Sequence, residues 1–138
     1  MIQRKHISYL NHQCFPIIVK DPYFVYASIT NLLCPDNTSN GQIHKSSLIS
    51  NTALLSENVQ INSNVIIKDN CKINNNVIIY ENSVIGPDVV IGQGTRILSN
   101  CSISNADLGE NCFIQQGVVI GGKGFGFASQ QKIDIKHI

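Results

Sequence analysis

Residues 43–103 read IHKSSL ISNTAL LSENVQ INSNVI IKDNCK INNNVI IYENSV IGPDVV IGQGTR ILSNCS I when cut every six residues. The first position of every segment, from Ile43 to Ile103, is isoleucine or leucine. The count then loses one residue and the pattern resumes at Leu108, Ile114 and Ile120, giving fourteen rungs in succession. A run of that length identifies a repeat architecture, in which single units bury little and a stack buries a continuous core.

Two residues before each large aliphatic stands a smaller side chain: Ser47, Ala53, Val59, Val65, Cys71, Val77, Ser83, Val89, Thr95, Cys101, Cys112 and Val118. A period of two within each rung, reset every six residues, describes a short strand followed by a corner. The corner position is filled by Asn58, Asn64, Asn70, Asn76, Asn82, Asp88, Gly94, Asn100, Asn111 and Gly117. Those residue types tolerate left-handed backbone best. Three corners close a triangle of about eighteen residues, with successive coils stacked at ~4.8 Å. The fold class expected is an all-β solenoid, a left-handed parallel β-helix of hexapeptide repeats, with a small N-terminal α/β remnant. The missing residue between Ile103 and Leu108 marks a bulge or small loop.

Outward positions also carry aliphatics, Ile66, Ile78, Val84, Val90 and Val119. Apolar outer faces suit side-by-side packing of prisms in a closed three-fold assembly, so a homotrimer is expected. Cys71, Cys101 and Cys112 occupy small inward positions and read as packed, reduced thiols.

Bulk composition narrows the function classes. Lysine and arginine total 10 against 9 acidic residues, for a net charge of +1. The basic residues are scattered, so neither nucleic acid nor a charged membrane surface is an expected partner. FPIIV is the longest apolar run near the start, too short for a signal or transmembrane segment, which points to the cytoplasm. Five cysteines without a CxxC and four dispersed histidines suggest no metal.

Before the repeat, CFPIIVK (Cys14 to Lys20) reads as a strand. Asp21-Pro22 starts a helix, with aspartate as the cap and proline at the first helical position. YFVYASITNLL continues it, with Phe24, Ala27 and Leu32 on a packing face, until Cys34-Pro35 stops it. The aromatics Tyr23, Phe24 and Tyr26 read as core packing rather than ligand contacts. The domain layout expected is residues 1–34 as the remnant of an α/β domain, 35–42 as linker, 43–122 as solenoid, and 123–138 as a glycine and aromatic loop with a tail.

Chemistry at a neutral base would fall to His6, His12, His44 or His137. His6 and His12 lie in a polar stretch, His44 fits a surface or capping role on the first rung, and His137 is next to last. Paired carboxylates at glycosidase spacing and a Ser-His-Asp grouping are absent. The run IGGKGFGFAS, Ile120 to Ser129, lacks the GxxxxGK[ST] of a phosphate loop. Its Phe125 and Phe127 suit an acyl chain, a neighbouring subunit, or a cap on the prism end.

The order of strand, DPYFVYASITNLL helix, GQIHKSSLI, hexapeptide coils and IGGKGFGFAS resembles the UDP-3-O-(3-hydroxyacyl)glucosamine N-acyltransferases of lipid A synthesis. The likeness covers roughly residues 14 to 130, and the GFGF loop after an IG rung is its most specific part. It implies a homotrimer that moves a 3-hydroxyacyl chain from acyl carrier protein to the 2-amine of a UDP-linked, 3-O-acylated glucosamine, with no cofactor. It also implies substrate contacts by the loop residues Gly124, Phe125, Gly126 and Phe127, and a uridine-binding type of N-terminal domain.

Departures follow from the same likeness. The family's catalytic histidine lies in coils beyond the loop, so no catalytic residue is assigned, His137 included. Lys123 stands where the family carries an acidic residue, and the uracil-stacking aromatic and the carrier-binding helices have no counterpart. The expectation is therefore a form truncated at both ends and inactive by itself. The alternative is a non-catalytic solenoid that assembles with, or modulates, a full-length relative. A sugar O-acetyltransferase would need a histidine at a corner between rungs, and none occurs from Lys45 to Lys136.

Overall fold

The computed structural model describes residues 1–124 apart from His12 and Asp36. The chain divides into two compact units, Met1–Thr38 and Ser39–Ile138.

In the first unit a 3-10 helix spans Arg4–Tyr9 and an α-helix, α1, spans Pro22–Leu33. The Asp21 side chain accepts from the backbone N–H groups of Tyr23 and Phe24, and Pro22 occupies the first turn. Two otherwise orphaned donors are thereby satisfied. Two expectations fail in this unit. No residue of α1 is buried, and Phe24 and Leu32 are 70% and 79% exposed, so the anticipated packing face is left largely open. The Cys14 to Lys20 segment is no strand either; it reduces to one parallel bridge between Ile2 and Ile18. A ladder needs donors and a partner. Pro16 has no N–H, and the pairing found is Ile2 N to Ile17 O and Val19 N to Ile2 O.

The second unit is the left-handed β-helix. Its described residues form thirteen two-residue strands: β1 Leu48–Ile49, β2 Leu54–Leu55, β3 Gln60–Ile61, β4 Ile66–Ile67, β5 Lys72–Ile73, β6 Ile78–Ile79, β7 Val84–Ile85, β8 Val90–Ile91, β9 Arg96–Ile97, β10 Ser102–Ile103, β11 Asp107–Leu108, β12 Phe113–Ile114 and β13 Val119–Ile120. Every third strand pairs in parallel, giving the sheets β1-β4-β7-β10-β13, β11-β8-β5-β2 and β12-β9-β6-β3. Ile43 bridges Ile61 and adds a rung ahead of β3.

Within each strand the second residue points inward. Ile61, Ile67, Ile73, Ile79, Ile85, Ile91, Ile97 and Ile103 are each at most 1% exposed and form the central column. The ten corner residues expected to be left-handed all have φ between 52° and 73°. Their amides stack: Asn58 donates to Asn76, Asn64 to Asn82, and Asn70 to Asp88, each through Nδ2 to an Oδ1 eighteen residues on.

The lost residue turns out to contract a corner; it adds neither bulge nor loop. Coils above it repeat every eighteen residues, as in Ile66 opposite Val84, whereas Ser102 pairs with Val119 and Asp107 with Val90, seventeen apart. Ser104-Asn105-Ala106 makes that turn with Asn105 alone at positive φ (47°). The inward and outward order of the later strands is preserved because the deletion falls at a corner.

Candidate functional site

The described root of the glycine-rich loop is Gly121–Gly124, and it leaves the solenoid beneath the contracted corner. Gly121 has φ +74°, and a Cβ there would lie 1.5 Å from the Ser104 carbonyl oxygen. Only glycine fits both the backbone angle and the approach. Its own carbonyl accepts from Ser104 Oγ and from Asn105 Nδ2, each at 3.2 Å. One carbonyl held by two donors fixes the direction in which the loop departs. Of the four residues assigned to substrate contact, Gly124 is exposed; Phe125, Gly126 and Phe127 lie outside the described residues, as does His137.

His44 stands on the first coil, far up the stack from the loop. Its Nδ1 accepts the Ser46 backbone N–H at 3.2 Å and lies 2.8 Å from Ser46 Oγ. With Nδ1 engaged by Ser46, the residue closes its own turn. His6 is exposed and its ring sits 6.3 Å from that of Tyr9.

Beside His44 an open groove of about 410 Å³ is lined by Lys45, Asn62, Ser63 and Glu81 among others. Asn62 Nδ2 donates to Glu81 Oε1 at 2.8 Å and Ser99 Oγ donates to Oε2 at 3.0 Å. Its own backbone N–H, then Ser99 and Asn62, hold the Glu81 carboxyl below its ordinary range against the opposing pull of burial. A second groove, about 330 Å³, lies in the first unit between Met1, Pro22, Tyr23 and Tyr26. Both tyrosines are exposed, so core packing does not account for them.

The inward thiols and hydroxyls do more than fill space. Cys71 Sγ donates to Gly86 O at 2.8 Å, Ser83 Oγ to Leu98 O at 3.0 Å, Thr95 Oγ1 to Gly109 O at 2.8 Å and Cys101 Sγ to Gln115 O at 3.0 Å. Each target is the first corner carbonyl of the next coil. Burial pushes the Cys71 thiol up, which keeps it protonated and able to donate. Composition at these positions alternates with valine, so the role was invisible as a motif; the polar identity of Ser83 and Thr95 at an inward position was the available signal. Among the described residues no group of three His, Cys, Asp or Glu could hold a metal ion. No described helix is long and apolar enough to cross a membrane.

Comparison with known proteins matches the family model for bacterial transferase hexapeptide (six repeats) to residues 42–87 and 88–122. A "UDP-3-O-acylglucosamine N-acyltransferase" of Marinomonas sp. (strain MWYL1) is 53% identical over 123 residues, covering 86% of this chain and 36% of the relative. A protein of that name from Hydrogenovibrio crunogenus is 40% identical over 116 residues, covering 83% of this chain and 33% of the relative. A solved serine acetyltransferase isoform 3 from Entamoeba histolytica aligns at TM-score 0.41 and 22% identity, over 64% of this chain and 37% of that one. The chain thus spans about a third of the length of the curated relatives it matches. It belongs to the bacterial transferase hexapeptide family, as a partial-length match to the UDP-3-O-acylglucosamine N-acyltransferases within it.

Proposed function

We propose that this chain supplies the helix and first coils of an acyltransferase of lipid A biosynthesis. The reaction is transfer of a 3-hydroxyacyl group from acyl carrier protein to the 2-amine of UDP-3-O-acylglucosamine, performed by a homotrimer. The amine attacks the thioester carbonyl, the carrier thiol leaves, and a base takes the amine proton. Residues 1–34 belong to a uridine-binding type of domain, and Gly124, Phe125, Gly126 and Phe127 meet the acyl chain or a neighbouring subunit. The observation carrying this reading is 53% identity over 123 residues to a relative named for that substrate.

Residues 1–138 do not turn over alone on this reading. The described solenoid histidine, His44, sits on the first coil and Gly121 on the fifth, four spacings or ~19 Å away. A positioned base is worth about 10² to 10⁴ in rate, and His44 cannot serve the loop from there.

The test is a chimera. Residues 1–120 are joined to the remaining coils of the Marinomonas relative, and both chimera and chain are assayed with 3-hydroxyacyl carrier protein and the UDP-sugar. N-acylated product from the chimera, and none from the chain, is the expected result. A folded chimera without product overturns the substrate assignment; turnover by the chain alone overturns its inactivity.

A further inference from the structure

Asn40-Gly41 is the chain's single Asn-Gly pair, and it stands where the chain enters the solenoid, just ahead of the Ile43 rung. Every other asparagine is followed by a residue that carries a Cβ. Both residues of the pair are exposed. Gly41 has φ +66°, and a Cβ there would lie 2.8 Å from Asn58 Oδ1, so the position is held to glycine. Hydrogen bonds fix the pair on all sides. Asn40 Oδ1 accepts the Gln42 backbone N–H at 2.9 Å, and the Asn40 N–H donates to Gln60 Oε1 at 3.1 Å. The Gly41 N–H donates to Ser39 Oγ at 3.1 Å, and that hydroxyl donates in turn to Asn58 O at 2.6 Å.

These contacts suit one reaction, attack of the Gly41 nitrogen on the Asn40 amide carbon. Negative charge would collect on Oδ1, where the Gln42 N–H already points. The nucleophile must shed its proton. Ser39 Oγ, with its own hydrogen committed to Asn58, turns a lone pair toward that proton. Residue 41 has no Cβ to obstruct closure of the succinimide ring. The corner asparagines are placed differently. Asn58, Asn64 and Asn70 spend their amides on the stack, and Asn62 is held by Glu81.

We infer that Asn40-Gly41 is a self-modification site, where the fold promotes conversion of the asparagine to aspartyl and isoaspartyl residues, with water as co-reactant. The bond from Gly41 N to Asn40 Cγ forms, and the Gly41 proton passes by way of Ser39 to solvent. The Cγ–Nδ2 bond then breaks as Nδ2 takes up a proton and leaves as ammonia. Water opens the succinimide: addition at Cγ gives aspartate, and addition at the backbone carbonyl gives isoaspartate. One amide and one water become one carboxylic acid and one ammonia. No part of this depends on the acyl-transfer reading. In the isoaspartyl product the main chain runs through Cβ and Cγ and is longer by a methylene. Ser39 and Asn40 are tied to Asn58 and Gln60, while Gln42 O accepts the Ile61 N–H at 2.9 Å. A chain lengthened between those anchors cannot keep both, so the entering segment loosens from the coil below. Asn40 also lines the groove with Lys45 and Glu81, and either product places a new carboxylate there.

The test holds the full folded chain in mildly alkaline buffer and follows its peptides by mass spectrometry. Isoaspartate is scored by labelling with an isoaspartyl methyltransferase. Asn40 should convert ahead of every other asparagine. Ser39→Ala should slow that conversion several-fold, about the worth of one hydrogen bond. Ser39→Thr keeps the hydroxyl and should restore the rate, and in urea all three chains should convert Asn40 alike. Circular dichroism establishes that both variants keep their β signal. Survival of Asn40 in the folded chain, while the urea-unfolded chain converts, overturns the site. A folded Ser39→Ala chain that converts at the wild-type rate overturns it too, since the lability would then belong to the dipeptide alone. Hydrogen exchange at Ile61 reads the consequence: it should quicken as wild type ages and stay constant in Asn40→Gln. Unchanged exchange in isoaspartyl chain overturns the loosening and leaves the reaction standing.

Discussion

Asn62 donates through Nδ2 to Glu81 Oε1 at 2.8 Å, one coil away along the same corner. The amide is oriented by that carboxylate, and its Oδ1 accepts from Gln60 Nε2 at 2.9 Å. Gln60 Oε1 in turn accepts the backbone N–H of Asn40 at 3.1 Å. A single anionic group thus sets the direction of two amides and ties the segment entering the solenoid to its second coil.

The first prediction concerns pH. The folded Glu81 carboxyl lies below its ordinary range, so its contribution to stability is fully present above the unfolded value of about 4.3 and is lost as pH falls through the folded value. Glu81→Gln should flatten the fall in melting temperature below about pH 4.3 relative to wild type. Identical acid limbs for the two proteins would sink this assignment.

A second prediction follows from the inward donors. Thr95 accepts the Cys112 backbone N–H at 3.1 Å while donating to Gly109 O, and Ser83 does the same for Cys101 N–H and Leu98 O. Thr95→Val keeps the shape and strands both backbone groups, which should cost about 1–3 kcal/mol. Thr95→Ser should cost less, because the hydroxyl survives. Urea unfolding at equilibrium measures both, and a valine variant as stable as the serine variant would show that the buried carbonyl needs no partner.

Backbone handedness gives the third. Asn76 sits at φ +58° and accepts from Asn58 Nδ2 at 2.6 Å. Asn76→Ala should lose about 1–2 kcal/mol through the left-handed penalty, and Asn76→Gly should recover most of it by removing the Cβ. The residual difference between glycine and asparagine reports the stacked amide itself. Equal stability of alanine and asparagine at this position would contradict the strain argument.

What could be read in advance divides along a physical line. Rungs, corners and the cap at Asp21 were legible because each is a local rule: a large aliphatic inward, a short polar residue at positive φ, a side-chain oxygen over two free N–H groups. The Cys14 to Lys20 strand failed because pairing depends on a partner elsewhere, and Pro16 withholds a donor. Phe24 and Leu32 read as a packing face from periodicity, which says nothing of what lies opposite. The inward role of Ser83 and Thr95 emerges only when coils are stacked, since donor and carbonyl are fifteen and fourteen residues apart. For the loop, the sequence marks Gly121 as glycine; the reason, the Ser104 carbonyl above it, is tertiary.

The contracted corner supports the last prediction. Inserting one residue between Asn105 and Ala106 restores an eighteen-residue coil while leaving every strand's inward residue inward. The fold should therefore survive, with an unchanged β signal. Removing a residue within β9 would instead turn Arg96 or its successors toward the core, and that variant should not fold. Hydrogen exchange separates the insertion from wild type: the Ser104 and Asn105 donors that share the Gly121 carbonyl move out of reach, so amides from Gly121 to Gly124 should exchange faster. Exchange at wild-type rates in a folded insertion variant would mean that the loop's departure is set by residues other than the corner above it.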